Sequence, residues 1–253
     1  MENSIPTFCN NKLMLKFFRT TRKKLIEQDK TRTYILYAIG EIALVMIGIL
    51  LALQVNNWNE ERKISAEIES YKLALYSELQ YDVESINQKI DEIEQRMEED
   101  NKLFKRVTAP SATLDTLVQI GRYEYDIWIN PIINFNDKTL NSLESSGLLP
   151  RMEDNIRTGI LDLTSQKDLY RMQLDTNIEY FLDALNHYRS KYRLDNPDGE
   201  SPVSKQLWAE ATPQLYALMT SVMTAQNVTN GNSLGLLKRI REKTQNLIQV
   251  LEP

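Results

Sequence analysis

Few residues of this chain could do covalent or acid–base chemistry. The 253 residues include one histidine, His187, and one cysteine, Cys9. A single thiol excludes an internal disulfide and a thiolate-rich zinc site, and a single imidazole excludes a histidine-cluster metal site. A Ser–His–acid set would have to be assembled around His187. That residue sits beside Tyr188 in a helical stretch and reads as a partly exposed structural histidine. No glycine-rich phosphate loop, CxxC or HExxH motif occurs. The acidic neighbours Glu60 with Glu61 and Glu98 with Glu99 diverge on a helix and make poor paired carboxylates. Asp195, Asp198 and Glu200 flank Gly199 without the spacing of a calcium loop and read as turn formers. Asn227-Val228-Thr229 matches a glycosylation sequon, a three-residue pattern that is a weak signal on its own. No catalytic residue, metal site or cofactor is expected, and the chain is read as a non-enzyme.

Glu41 is the exception. It is the only carboxylate in the apolar run of residues 34–55, YILYAIGEIALVMIGILLALQV, which contains no Lys, Arg, Asp or Pro. Twenty-two residues in a helix span about 33 Å, enough for a hydrocarbon core of about 30 Å. Glu41 then lies within about 5 Å of the middle of the span, where a charge costs about 2.5–3.5 kcal/mol. The chemistry open to such a group is protonation or pairing with a protein partner. Val45, Gly48 and Ala52 follow along the same side, and Gly48 with Ala52 forms a small-xxx-small pair that permits close helix approach. Glu41, Gly48 and Ala52 are therefore the candidate membrane-helix contact or proton site.

The elements that must position these groups follow from charge and periodicity. Tyr34 and Tyr37 at one end of the run and Trp58 beyond the other read as interface anchors. Eight cations precede the run, among them the inner-leaflet candidates Arg19, Arg22, Lys23, Lys24, Lys30 and Arg32, whereas Arg62 and Lys63 are the only two in the fifteen residues after Val55. The positive-inside rule places the N-terminus in the cytoplasm and the rest outside. The run exceeds a usual signal-peptide core and no small-x-small cleavage site follows, so it reads as a signal anchor. The domain plan is a basic cytoplasmic tail (1–33), a transmembrane anchor (34–55) and an exterior domain (56–253). Residues 1–33 carry net charge +5 and residues 57–253 carry −9, which argues against nucleic acid as a ligand.

The exterior reads as all-α. Ile68, Tyr71, Leu75, Leu79, Val83, Ile86, Ile90, Ile93 and Met97 advance in steps of three and four, and no Gly or Pro intervenes between Gly48 and Pro110. A long helix over about 57–107 is expected to rise from the membrane, its later part heptad-like as in a coiled coil. Its apolar stripe packs either against later helices of the same chain, the favoured option, or against a second copy. Further helices are expected at about 139–146, with Gly147 as C-cap, 151–192, 213–226 and 233–250. A short helix at 114–120 is expected to stop at Gly121, and residues 123–129 are expected to be irregular or extended. Six glycines among residues 57–253 suit an antiparallel helical bundle.

Two stretches carry a family resemblance. YAIGEIALVMIGILLALQVNNWNEE (37–61), preceded by KFFRTTRKKL, resembles the anchor of a large family of uncharacterised single-pass membrane proteins of Bacteroidetes. TLNSLESSGLLPRMEDNIRTGILDL (139–163) is similar to that family's recurrent Leu-x-x-Ser-Gly-x-Leu segment and following helix. The resemblance implies a single-pass inner-membrane protein with a periplasmic helical domain, and it implies no activity. Membrane lipid is one expected partner. A protein partner or a second copy, met through the transmembrane or the long helix, is the other. A scaffold or interaction role leads. A periplasmic sensor working through a partner and a proton-coupled motor or transport accessory using Glu41 are the alternatives.

Overall fold

The computed structural model describes residues 31–129, 131–192 and 202–252. Among them every regular element is helical: α1 (Thr31–Val107), α2 (Leu114–Gln119), α3 (Lys138–Ser146), α4 (Asp154–Lys191), α5 (Pro202–Ala209) and α6 (Gln214–Leu251). A π turn at Ile120–Glu124 follows α2, and a 3₁₀ turn at Leu149–Arg151 precedes α4. The chain divides into two units, Met1–Glu67 and Ile68–Pro253.

The first unit contains the beginning of α1. Its Leu, Ile, Ala and Met residues favour a helix that satisfies its own backbone polar groups, the condition for crossing lipid. Here α1 is long and apolar enough to span a membrane, and none of its most apolar window is buried within the chain. Large side chains from Ile35 to Val55 stand exposed all round the helix, as expected of a surface whose solvent is lipid.

In the second unit the later part of α1 turns Leu75, Leu79, Ile86, Ile90 and Ile93 inward, each no more than 3% exposed. The stripe is thus used within the chain. The lateral pairings define a three-helix arrangement. Asp162 meets Lys243 and Asn177 meets Thr229, so α4 and α6 are antiparallel. Glu94 meets Lys238 and Asp100 meets Gln226, so α1 and α6 are antiparallel as well. Lys72 meets Glu153 and Asp82 meets Lys167, so α4 runs parallel to α1. Residues 108–153 carry the chain back between those parallel helices, which is why this segment holds only short elements. At one end Val107, Ile120, Phe181, Tyr188, Trp208 and Met219 close an apolar cluster. Tyr192 bridges its aromatics, 5.9 Å from Tyr188 and 5.3 Å from Trp208.

Three boundaries differ from the sequence expectation. The helices anticipated at 213–226 and 233–250 are one, α6. Thr229, Asn230 and Ser233 are fully buried, Thr229 Oγ1 donates to the Asn177 carbonyl at 3.0 Å, and Asn232 reaches Asn177. Packing along α4 therefore outweighs the low helix propensity of Asn-Gly-Asn. Gly121 does not end α2, because the chain continues through it into the π turn. A Cβ there would stand 3.1 Å from the Tyr188 hydroxyl and 3.4 Å from Trp208, so the glycine is required by close approach and not as a stop. The helix expected from 151 begins at Asp154, since Pro150 lies in the 3₁₀ turn. Gly147 does cap α3, with φ of 71°.

Candidate functional site

In the first unit Glu41, Gly48 and Ala52 are exposed in α1 with Val45 between them, and a Cβ on Gly48 would meet nothing within 4 Å. Offsets of seven and eleven residues place Gly48 and Ala52 on the Glu41 side of the helix. Trp58 is exposed, with the Arg62 guanidinium 5.9 Å from its ring centre, and Tyr37 is half-buried. Of the basic flank, Arg32 is exposed in the first turn of α1. Arg19, Arg22, Lys23, Lys24 and Lys30, like the side chain of Tyr34, lie outside the described residues, as do Asp195, Asp198 and Glu200.

The second unit holds a site that periodicity did not reveal. The inward stripe of α1 passes through Asp82 and Asp100, 1% and 7% exposed. Hydrophobic spacing points to Val83, which is only half-buried, and passes over Asp82 because a carboxylate does not count as apolar. Asp82 Oδ2 accepts from Lys167 Nζ of α4 at 2.9 Å, and Asp82 Oδ1 accepts from the Asn136 backbone N–H at 2.9 Å. Lys167, 1% exposed, also donates to Asp137 Oδ1 at 2.8 Å and stands 4.9 Å over the Phe135 ring. Arg171 pairs with the other Asp137 oxygen. The Tyr170 hydroxyl donates to the Pro131 carbonyl, and its ring meets Phe135 edge-on at 5.8 Å. Asp137, the residue before α3, therefore spends its carboxylate on α4. Glu78 of α1 accepts from the Thr139 N–H at 3.1 Å in its place, so the N-terminus of α3 is capped from another helix.

A second polar knot fastens residues 125–128. Gln226 of α6, 1% exposed, donates to Asp100. Its Oε1 accepts from the Tyr125 hydroxyl at 2.9 Å and from the Trp128 N–H at 3.3 Å. Arg96 donates to the Asp126 carbonyl, pairs with the Asp126 carboxylate at 3.3 Å and lies 5.8 Å over the Trp128 ring.

The surroundings move several ionisation equilibria. Burial pushes the Asp100 carboxyl up, and the Gln226 hydrogen bond and the Arg96 charge only partly offset it. Burial also opposes ionisation of Asp137, but the hydrogen bonds and charges of Lys167 and Arg171 outweigh it and hold that carboxyl below the usual range. Burial raises the Tyr125 and Tyr170 phenols, keeping both as O–H donors.

This arrangement fastens distant segments of the one chain to each other. Lys167 Nζ is spent on hydrogen bonds to the Asp82 and Asp137 carboxylates, whereas a nucleophilic amine must be free to reach its substrate. His187 is exposed, its Nδ1 2.8 Å from the Asp183 carbonyl on its own helix. Among the described residues no cluster of His, Cys, Asp or Glu is placed to hold a metal ion. Asn227 lies within α6 and Thr229 is fully buried, so the sequon is not presented on a loop. Comparison with protein-family models, with characterised proteins and with solved structures finds no match to this chain.

Proposed function

We propose that this chain is a single-pass membrane protein whose role is interaction and not catalysis, a scaffold that joins a partner or a second copy through its transmembrane helix. The observation that carries this reading is Glu41, an ionisable side chain exposed in the apolar part of α1, with Gly48 and Ala52 on its own side. A carboxyl in hydrocarbon gains from a hydrogen-bonding partner, and small residues beside it let a second helix approach closely. In the other unit the buried Asp82, Lys167, Asp100 and Gln226 satisfy one another, which suits a structural role. The cation excess of residues 1–33 favours a cytoplasmic N-terminus and a periplasmic helical domain at a bacterial inner membrane, in line with the resemblance of residues 37–61 to the Bacteroidetes anchor.

The test is crosslinking followed by affinity purification from native membranes, comparing the wild type with Glu41→Leu and Gly48→Leu. The interaction reading expects one specific partner or oligomer that both variants lose. A partner list unchanged by both substitutions would refute an assembly role for this face. Thiol labelling of Cys9 in intact cells, compared with labelling after lysis, checks the orientation. Protection before lysis is expected, and labelling from outside would reverse the topology.

A further inference from the structure

We propose that residues 131–146 form a charge-locked strap that lifts from α1 and α4 as one piece while α1, α4 and α6 stay packed. Three observations carry this. Residues 131–136 make no main-chain to main-chain hydrogen bond among the described residues, so nothing of the helical ladder holds them down. What holds them is a set of side chains reaching out from the bundle: Asp82 and Glu78 receive the Asn136 and Thr139 N–H groups, Lys167 and Arg171 grip Asp137, and Tyr170 donates to Pro131. Buried apolar anchorage is limited to Pro131 and to Leu140 and Leu143 of the nine-residue α3; Ile133 and Phe135 are half-buried, the latter edge-on to Tyr170, and Ile132 is 57% exposed.

The third observation is a crevice already open along this seam. A pocket of about 170 Å³ lies between α3 and α4, lined by Leu140, Asn141, Thr164, Lys167 and Arg171 among others. The Thr164 hydroxyl is buried there with no hydrogen-bond partner. Segments with few buried apolar contacts and side-chain fastenings open below the global unfolding free energy. Opening would bare Asp82 and Lys167, a carboxylate and an ammonium that are otherwise sealed, and so would turn a hidden ion pair into a recognition surface. This device does not depend on the transmembrane contact proposed above.

The experiment is hydrogen exchange on the full-length protein in detergent micelles, resolved to single amides. The Asn136 and Thr139 amides report the strap, and the buried Leu237 and Ile240 in α6 report the bundle. In the wild type the strap amides are expected to exchange at least tenfold faster than the α6 amides. Tyr170→Phe removes one buried hydrogen bond and keeps the ring, so it should speed Asn136 and Thr139 together by about fivefold. Lys167→Met should speed them more, and if that variant does not fold, Tyr170→Phe carries the test. Leu215→Ala strikes the far cluster beside Tyr188, about 27 Å along α4 from Tyr170. It should speed the α6 amides more than tenfold and leave the strap amides unchanged. The proposal is overturned if Leu215→Ala speeds strap and α6 amides by the same factor, because the strap then opens only when the whole unit unfolds. It is also overturned if Tyr170→Phe leaves Asn136 and Thr139 unchanged.

Discussion

Asp82→Asn tests the central energetic claim, that the buried Asp82–Lys167 pair is a unit whose two halves cannot be separated cheaply. The substitution preserves shape and an oxygen able to accept the Asn136 N–H, now at 2.9 Å. It places a neutral amide where the Lys167 ammonium now meets a carboxylate at 2.9 Å. Both side chains are 1% exposed, so water cannot take over the lost partner. Removing one member of a buried pair costs about 3–5 kcal/mol, because a charge is left in low dielectric. Asp137 remains on Lys167 at 2.8 Å and is 21% exposed, which places the expected cost near the lower end, about 3 kcal/mol. For a unit of this size that lowers Tm by roughly 6–12 °C. Lys167→Met alone should cost at least as much, since two carboxylates then face each other across a methionine. The double variant should cost less than the sum of the singles by about 2 kcal/mol, the signature of direct coupling. Guanidinium unfolding of the full chain in detergent, followed by far-ultraviolet circular dichroism, measures all three. A cost below about 1 kcal/mol for Asp82→Asn, or a coupling below about 0.5 kcal/mol, would refute the reasoning.

Two glycines and two carboxylates give further checks. A Cβ at Gly159 would stand 2.9 Å from the buried Leu247 Cδ1, so overpacking exceeds the gain in helix propensity and Gly159→Ala should destabilise by about 1 kcal/mol. Nothing lies within 4 Å of a Cβ at exposed Gly235 in the same helix pair, so Gly235→Ala should stabilise by about 1 kcal/mol; thermal melts that rank the two variants the other way would contradict the packing. Asp137 has a depressed carboxyl equilibrium, so the stability it contributes is present above its unfolded-state value of about 4 and is lost as pH falls through its lower folded-state value. Asp137→Asn should therefore lower stability at neutral pH and flatten the acid limb of the stability–pH curve. Asp100 is shifted the other way by burial, so its contribution is present below the unfolded-state value and is lost as pH rises, and Asp100→Asn should gain stability relative to the wild type as the solution is brought from acid to neutral pH. Unchanged pH slopes in both variants would show that these carboxylates do not titrate as their surroundings require.

The sequence alone was enough to read the helical class, the long apolar run, the inward face of α1 and the C-cap at Gly147. These are local properties: apolar residues recurring every three or four positions, no proline in the runs, and a glycine where the backbone must take positive φ. Tertiary structure alone decided the rest. Whether Asp82 is a solvated helix charge or a sealed ion pair depends on Lys167, 85 residues away, and no periodicity records that partner. The same holds for Asp100 and Gln226, 126 residues apart. Asn-Gly-Asn in α6 reads locally as a break and becomes continuous helix only because α4 lies alongside to accept Thr229 and Asn232. Gly121 reads as a stop and is instead a close approach to Tyr188 and Trp208. In each case the deciding residue is distant in sequence. Hydrophobic spacing is set by residues within a turn or two of one another, whereas the partners of Asp82, Asp100 and Thr229 and the neighbours of Gly121 come from distant segments.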